Sequence, residues 1–351
     1  MSDKVKYYNP NIILNKKDLN GNEPNIFIIT SNRSAGKTTG FLKKAIENYL
    51  KTGGQVALLY RFNYELSDGH KLFEEIFNLY PEYKGEMKSI AMARGLFYQM
   101  TYNDKILGYA IALNNVDSMK KYSALFSKIE MIIFDEYQTE SGKYLPNEVK
   151  KFQSILMTIA RGGGKQSRTN VKAILLGNTV TIMNPYLIEF DIHKRLQKDT
   201  RFIRGDGWIA EFSFNESASN SIKENGLFKG FKDGYKEFST ENIYLYNAMT
   251  FIDKPSGSFK YVCTILNEGI RYGVRLYWEE GILLINKKPD RDFKTVITFK
   301  NGDHNQNVLM ANRFSWAFKT IKDAYYSGTL RFDDLKTKSM IFDILSIDVF
   351  K

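Results

Sequence analysis

Short, unbroken apolar runs alternate with longer stretches of helical period over the first part of the chain. Asn25-Ile26-Phe27-Ile28-Ile29-Thr30 reads as a buried strand, and Lys37 to Leu50 as the helix that follows it. Val56-Ala57-Leu58-Leu59-Tyr60 is a second strand, and Phe97 to Leu113 reads as a hairpin with Asn103-Asp104 at its turn. Met131-Ile132-Ile133-Phe134 is a third buried strand, Asn147 to Ala160 an amphipathic helix, and Val171 to Leu176 a fourth strand. Continuous apolar strands separated by helices predict an α/β class, with a parallel sheet covered on both faces.

Beyond that region the texture changes. Residues 215–250 are rich in Ser, Asn, Glu, Lys and Gly with weak periodicity, which predicts a linker or small helical lid. From about residue 251 the pattern is strand-like again: Phe259 to Leu266, Gly273 to Trp278 and Ile282 to Asn286 form a meander, with turns at Asn267-Glu268-Gly269 and Glu279-Glu280-Gly281. Val296 to Phe299 adds a strand, and helices are expected over Asn312 to Ser327 and Asp334 to Leu345. The expected organisation is one domain over 1–212, a linker or lid over 213–250, and a smaller α+β domain over 251–351.

Composition narrows the class. With 351 residues the chain exceeds what one core usually covers, and 43% hydrophobic content excludes a disordered protein. The 50 basic residues against 39 acidic ones give +11, which permits a polyanionic partner without being a DNA-coating charge. A single cysteine, Cys263, rules out an intramolecular disulfide and fits a reducing compartment, and with only three histidines no Cys/His zinc site is expected. No apolar run approaches a membrane span and the N-terminus carries no apolar signal core, so a soluble intracellular protein is expected.

The first strand runs into Ser31-Asn32-Arg33-Ser34-Ala35-Gly36-Lys37-Thr38-Thr39, the phosphate-loop pattern with Ser31 at the usual first Gly. Such a loop aims backbone N–H groups inward, and the helix N-terminus behind it adds positive potential. Gly36 permits close approach to the phosphates, Lys37 reaches the β/γ-phosphates, and the Thr38 hydroxyl ligates Mg²⁺. Arg33 is unusual inside the loop and is placed to touch the γ-phosphate within its own subunit. The third strand ends in Asp135-Glu136: Asp135 for the Mg²⁺ shell, and Glu136 to polarise an attacking water. An adjacent Asp-Glu pair favours hydrolysis of ATP over transfer to a small acceptor.

Two further segments suit a ring motor. Leu175-Leu176-Gly177-Asn178-Thr179 ends the fourth strand with Asn178 beside the expected γ-phosphate position. Ile159-Ala160-Arg161-Gly162-Gly163-Gly164-Lys165 places Arg161 at a helix end before a glycine run. Arg161 either projects into a neighbouring subunit's site or compensates the helix dipole.

With these parts placed, the sequence resembles the DNA-packaging ATPases of phi29-like tailed phages, relatives of the large terminase motors. Tyr8-Asn9-Pro10, Tyr144-Leu145-Pro146-Asn147-Glu148-Val149, Asn184-Pro185-Tyr186 and Ser327-Gly328-Thr329-Leu330-Arg331-Phe332-Asp333 carry the resemblance beyond the ATP motifs and across both halves. It implies an additional-strand, RecA-like P-loop ATPase with a C-terminal RNase H-like domain. It also implies a homo-oligomeric ring, a pentamer, in the host cytoplasm and transiently on the portal (connector) vertex of a prohead, driving double-stranded DNA inward. Lys37, Thr38, Asp135 and Glu136 inherit the nucleotide, metal and catalytic roles, and Arg161 the position of the trans-acting arginine. Tyr8 and Asn9 are expected at the adenine. Arg61, after the second strand, matches a basic family position.

The first meander strand, Tyr261-Val262-Cys263-Thr264-Ile265-Leu266, carries no acid, so the C-terminal domain is expected to bind without cutting. Arg271, Arg275, Lys287 and Lys288 are candidates there for DNA or a structural packaging RNA. In the ATPase domain the DNA candidates are Arg61, Asn63-Tyr64, Lys120, Lys121 and Lys143, since backbone tracking of duplex uses phosphate contacts. The competing readings are a ring helicase or single-strand translocase with the same ATP site, and a non-catalytic nucleic-acid binder.

Overall fold

A computed structural model describes residues 7–139, 144–161, 168–179, 184–196, 200–224, 255–311, 315–327, 329–334, 337–338, 340–341 and 344. The chain separates into two compact units, Met1–Leu245 and Tyr246–Lys351. Among the described residues no helix is long and apolar enough to cross a membrane.

Unit one is built on a sheet of nine described strands: β1 (Ile26–Ser31), β2 (Gln55–Tyr60), β3 (Met87–Met92), β4 (Phe97–Tyr102), β5 (Lys105–Ala112), β6 (Ile129–Asp135), β7 (Lys172–Asn178), β8 (Phe202–Gly205) and β9 (Trp208–Ser213). Their order is β3-β4-β5-β2-β6-β7-β1-β9-β8. From β5 to β9 all neighbours are parallel, and both flanks are antiparallel. The sheet is therefore mixed, where the run of apolar strands predicts a parallel one. β7 stands between β1 and β6, which is the additional-strand arrangement. It sets the acidic end of β6 one strand away from the end of β1.

The apolar runs behave as their composition demands. Phe27, Ile28, Ile29, Ile132, Ile174, Leu175 and Leu176 have no measurable exposure, because helices cover both faces. The Asn103-Asp104 turn has φ of 48° and 60° and closes the β4–β5 hairpin. Three strands escape the periodicity. β3 is mostly exposed and carries no apolar run. β8 is too short. β9 carries Glu211, which is fully buried and interrupts the apolar signature. Arg201 Nη2 at 3.2 Å and the Tyr8 hydroxyl at 2.5 Å satisfy that carboxylate.

Unit two holds a six-stranded sheet, β10 (Lys260–Asn267), β11 (Ile270–Tyr277), β12 (Ile282–Asn286), β13 (Val296–Thr298), β14 (Leu309–Met310) and β15 (Leu330–Phe332), in the order β14-β13-β10-β11-β12-β15. β10, β11 and β12 form the antiparallel meander, and β13 and β14 add parallel to the first strand. That is the strand order of RNase H-like folds, extended by β15 alongside β12. The helix Trp316–Tyr326 falls within the expected span, with Ser315 as its N-cap. Half of Asp334 to Leu345 lies outside the described residues, and of the rest 337–338, 340–341 and 344 are helical.

Candidate nucleotide site

β1 ends at Ser31, in register with Asn178 of β7 on one side and Ser213 of β9 on the other. The chain then turns through Ser34 (φ 59°) and Gly36 (φ 78°) into the helix Lys37–Thr52. Gly36 is required twice over. Its φ is left-handed, and a Cβ there would lie 2.5 Å from Tyr7 Cδ1. The loop bounds a cavity of about 370 Å³ lined by Arg33 to Thr39, Asp135, Glu136, Gly177 and Asn178.

Lys37 is the centre of this site, and only 6% of it is exposed. Its Nζ donates to Ser31 Oγ at 2.9 Å, Asn32 O at 3.2 Å, Asn178 Oδ1 at 3.2 Å and Ser31 O at 3.5 Å. Ser31 in place of the usual glycine thus supplies the shortest of these acceptors. Burial brings the Lys37 pKa down to about 8; Asp135 opposes that shift and Arg33 adds to it.

The Thr38 hydroxyl donates to Asp135 Oδ2 at 2.8 Å. Two oxygen donors of the hydroxyl–carboxylate type, held together beside the loop, fit a hard divalent cation such as Mg²⁺. Burial raises the Asp135 carboxyl above the ordinary range, against the Thr38 bond, the Lys37 charge and the Glu136 N–H. Behind this pair lies a second cavity of about 270 Å³, with Leu42, Leu58, Leu72 and Ile133 among its walls.

Glu136 follows in a left-handed conformation, φ 55°, which costs a non-glycine residue roughly 1–3 kcal/mol. Its N–H donates to Asp135 Oδ1 at 3.0 Å, and its carbonyl accepts from Arg61 Nη1 at 3.3 Å. Arg61 is itself buried. Its Nε and Nη2 each reach Glu148 at 2.9 Å, and Nη2 also reaches Tyr137 O at 3.1 Å. Tyr186 Oη and Leu145 N complete the shell of Glu148, at 3.1 and 2.8 Å. This stands against the expectation that Arg61 meets DNA: the guanidinium is nearly buried and is engaged by Glu148 and two backbone carbonyls. It braces the strained turn at Glu136 instead. The pattern of residues did not disclose this brace, because Glu148 stands out only as part of a Tyr-Leu-Pro-Asn-Glu-Val string. The buried hydroxyl of Tyr137, 2.7 Å from Thr30 Oγ1 and 3.0 Å from Gln138 Nε2, was equally hidden.

The remaining expected residues divide. Thr39 lines the first cavity with the loop. Tyr8 does not offer a free face beside the loop: its ring stacks on Phe41 at 5.8 Å and its hydroxyl is committed to Glu211. Asn9 caps the next turn by accepting from Asn11 N at 3.0 Å. The ring seated on Gly36 is that of Tyr7. Arg161 ends the helix Glu148–Ala160, which starts near the β6 terminus and, at 1.5 Å per residue, ends roughly 20 Å away toward the start of β7. It is exposed there and is not part of its own chain's phosphate site. Lys120 is exposed and pairs with Asp117 at 3.1 Å, and Lys121 lies over the Tyr122 ring at 5.3 Å. Both sit on the turn Lys120–Phe126 before β6, toward the opposite sheet edge from the loop. Tyr64, after β2, is 78% exposed and stacks on Phe62 at 5.4 Å. Lys143 and Lys165 lie outside the described residues. In unit two, Arg275 is held by Asn286, by Lys288 O and between the Phe259 and Tyr261 rings, and Lys287 pairs with Asp334 at 3.5 Å.

The family described as podovirus DNA encapsidation protein (Gp16) matches residues 2–348. The DNA packaging protein of Bacillus phage phi29 is 26% identical over 349 residues, covering 97% of this chain and 98% of the relative. In fold, the chain resembles the bacteriophage phi29 viral genome packaging motor assembly with a TM-score of 0.53 at 23% identity, over 97% of this chain and 98% of that one. The Phi-28 gp11 DNA packaging motor gives a TM-score of 0.53 at 15% identity, over 97% of each chain.

A triphosphate seated on the loop would bind the ammonium form of Lys37 and raise its pKa. ATP affinity is expected to fall as pH rises through about 8, with proton uptake on binding at about pH 9. Calorimetry in two buffers of different ionisation heat measures that uptake, and its absence assigns Lys37 an ordinary pKa. Glu148→Ala leaves the Arg61 charge buried and unpaired, so a loss of about 3–5 kcal/mol in unfolding free energy is expected by chemical denaturation.

Proposed function

The chain belongs to the podovirus DNA encapsidation protein family, and from that premise we propose that it is the ATP-hydrolysing subunit of a ring that drives double-stranded DNA into a prohead. The observation that carries the ATPase reading is the Thr38–Asp135 contact of 2.8 Å beside a buried Lys37. Residues 97 positions apart, which no local motif joins, converge as nucleotide hydrolysis requires.

In this reading the loop N–H groups and Lys37 hold the phosphates, and Thr38 and Asp135 hold Mg²⁺. The cation supplies charge neutralisation on the phosphate oxygens. Glu136 accepts the proton of the attacking water, and the Arg61–Glu148 brace keeps its backbone in the strained turn. Asn178, bonded to Lys37, is set to register the γ-phosphate. Arg33 contributes from the same loop. Arg161, exposed and remote from its own loop, serves a neighbouring subunit's site. The division into an ATPase domain over 1–212, a linker over 213–250 and a nuclease-like domain over 251–351 belongs to the same proposal. So do a pentameric ring, a portal partner, a structural RNA and a site of action in the host cytoplasm. β10 carries no carboxylate, which supports a nuclease-like domain that does not cleave.

Duplex DNA is expected to stimulate ATP turnover. Stimulation by single strands alone would return the helicase reading. Glu136→Gln is expected to retain ATP binding while kcat falls about 10²- to 10⁴-fold; undiminished hydrolysis removes Glu136 from the base role. Rings mixed from wild-type and Arg161→Ala subunits are expected to lose activity faster than the mutant fraction rises. A strictly proportional loss places the arginine's action within its own subunit.

A further inference from the structure

Asn32, the residue after Ser31 in the phosphate loop, is 1% exposed and makes contacts in two directions. Its backbone carbonyl accepts from Lys37 Nζ at 3.2 Å. Its side-chain amide is spent on the backbone of a residue 183 positions away: Asn32 Nδ2 donates to Asn215 O at 3.0 Å, and Asn215 N donates to Asn32 Oδ1 at 2.8 Å. Asn215 in turn caps the helix Glu216–Glu224, its Oδ1 accepting from Ala218 N at 3.0 Å. That helix opens the stretch of sequence that leads to the second unit.

We propose that Asn32 is a positioning residue that relays nucleotide occupancy of the phosphate loop to Asn215 and the helix it caps. The inference rests on the reading that a triphosphate occupies the loop. Lys37 has three ammonium protons and four protein oxygens within 3.5 Å. An arriving phosphate oxygen must displace some of them, and an anionic acceptor outcompetes neutral carbonyls. Release of the Asn32 carbonyl frees the peptide after it to turn. The amide of the same residue is tied at both its donor and its acceptor to residue 215, so the turn is felt there. A state in which Lys37 holds phosphate and a state in which it holds Asn32 thus place different loads on one bonded pair, which is the differential interaction that a relay needs.

Amide hydrogen exchange on the full chain tests this, with and without Mg²⁺ and a non-hydrolysable ATP analogue, because the Asn215 N–H is itself one of the relaying donors. In wild type, the analogue is expected to change exchange at residue 215 and across 216–224 by at least about threefold. Asn215→Ala removes the helix cap but keeps both backbone bonds to Asn32, so the change is expected to persist. Asn215→Pro removes the N–H and with it one of the two bonds, and Asn32→Ala removes both; in protein that still binds the analogue, the response of 216–224 is expected to weaken in the first and to vanish in the second. A wild-type response in either of these two variants overturns the relay, as does wild type that binds the analogue with no change over 215–224. Wild-type protein that fails to bind the analogue overturns the functional reading and the relay with it.

Discussion

A buried ammonium organises this protein's candidate active centre. Lys37 sits almost wholly out of water, and an uncompensated charge in that position would cost many kcal/mol. Its compensation comes from three separate stretches of chain: the end of β1, the loop itself, and the end of β7. The loop conformation, the register between β1 and β7, and the lowered proton affinity of the lysine are therefore aspects of one arrangement. The serine at the first loop position belongs to it as well, because a hydroxyl there gives the ammonium its shortest bond, which a glycine would not.

Around that charge the chain accepts local strain and buries polar groups to hold it. Glu136 leaves β6 in a left-handed turn, and the guanidinium of Arg61 grips the two carbonyls that follow the strand. Arg61 is in turn neutralised by Glu148, whose remaining oxygen capacity is filled by Tyr186 and Leu145. A buried ion pair is weak evidence of stability, since desolvation offsets much of its attraction. A network this fully satisfied instead specifies geometry, and here the geometry it specifies is the position of the residue read as the water-activating base.

The second unit uses related materials to a different end. Its sheet follows the RNase H strand order, and its first strand carries no carboxylate. The Thr264 hydroxyl bonds the Tyr261 hydroxyl at 2.7 Å, and the guanidinium of Arg275 lies between two aromatic rings. Positive charge that composition alone would send to a polyanion is partly consumed in holding the sheet together.

What the order of residues determined by itself was local: the buried strands, read at 25–30, 56–60, 131–134 and 171–176 and each found within a few residues of those bounds, the hairpin turn at 103–104, the loop from 31 to 39, and the acidic pair at 135–136. Each rests on periodicity or on chemistry confined to a few neighbouring positions, so a reader of the chain can find it. Tertiary structure alone decided that β7 lies between β1 and β6. It decided too that Arg61 turns inward to Glu148, 87 positions away, and that Asn32 bonds the backbone 183 positions on. β9, with a carboxylate in its middle, became legible only once Tyr8 and Arg201 were seen to satisfy it. The physical reason is common to all of these. A charged or polar side chain has the same signature along the chain whether it faces water or a buried partner, and only the strand order says which.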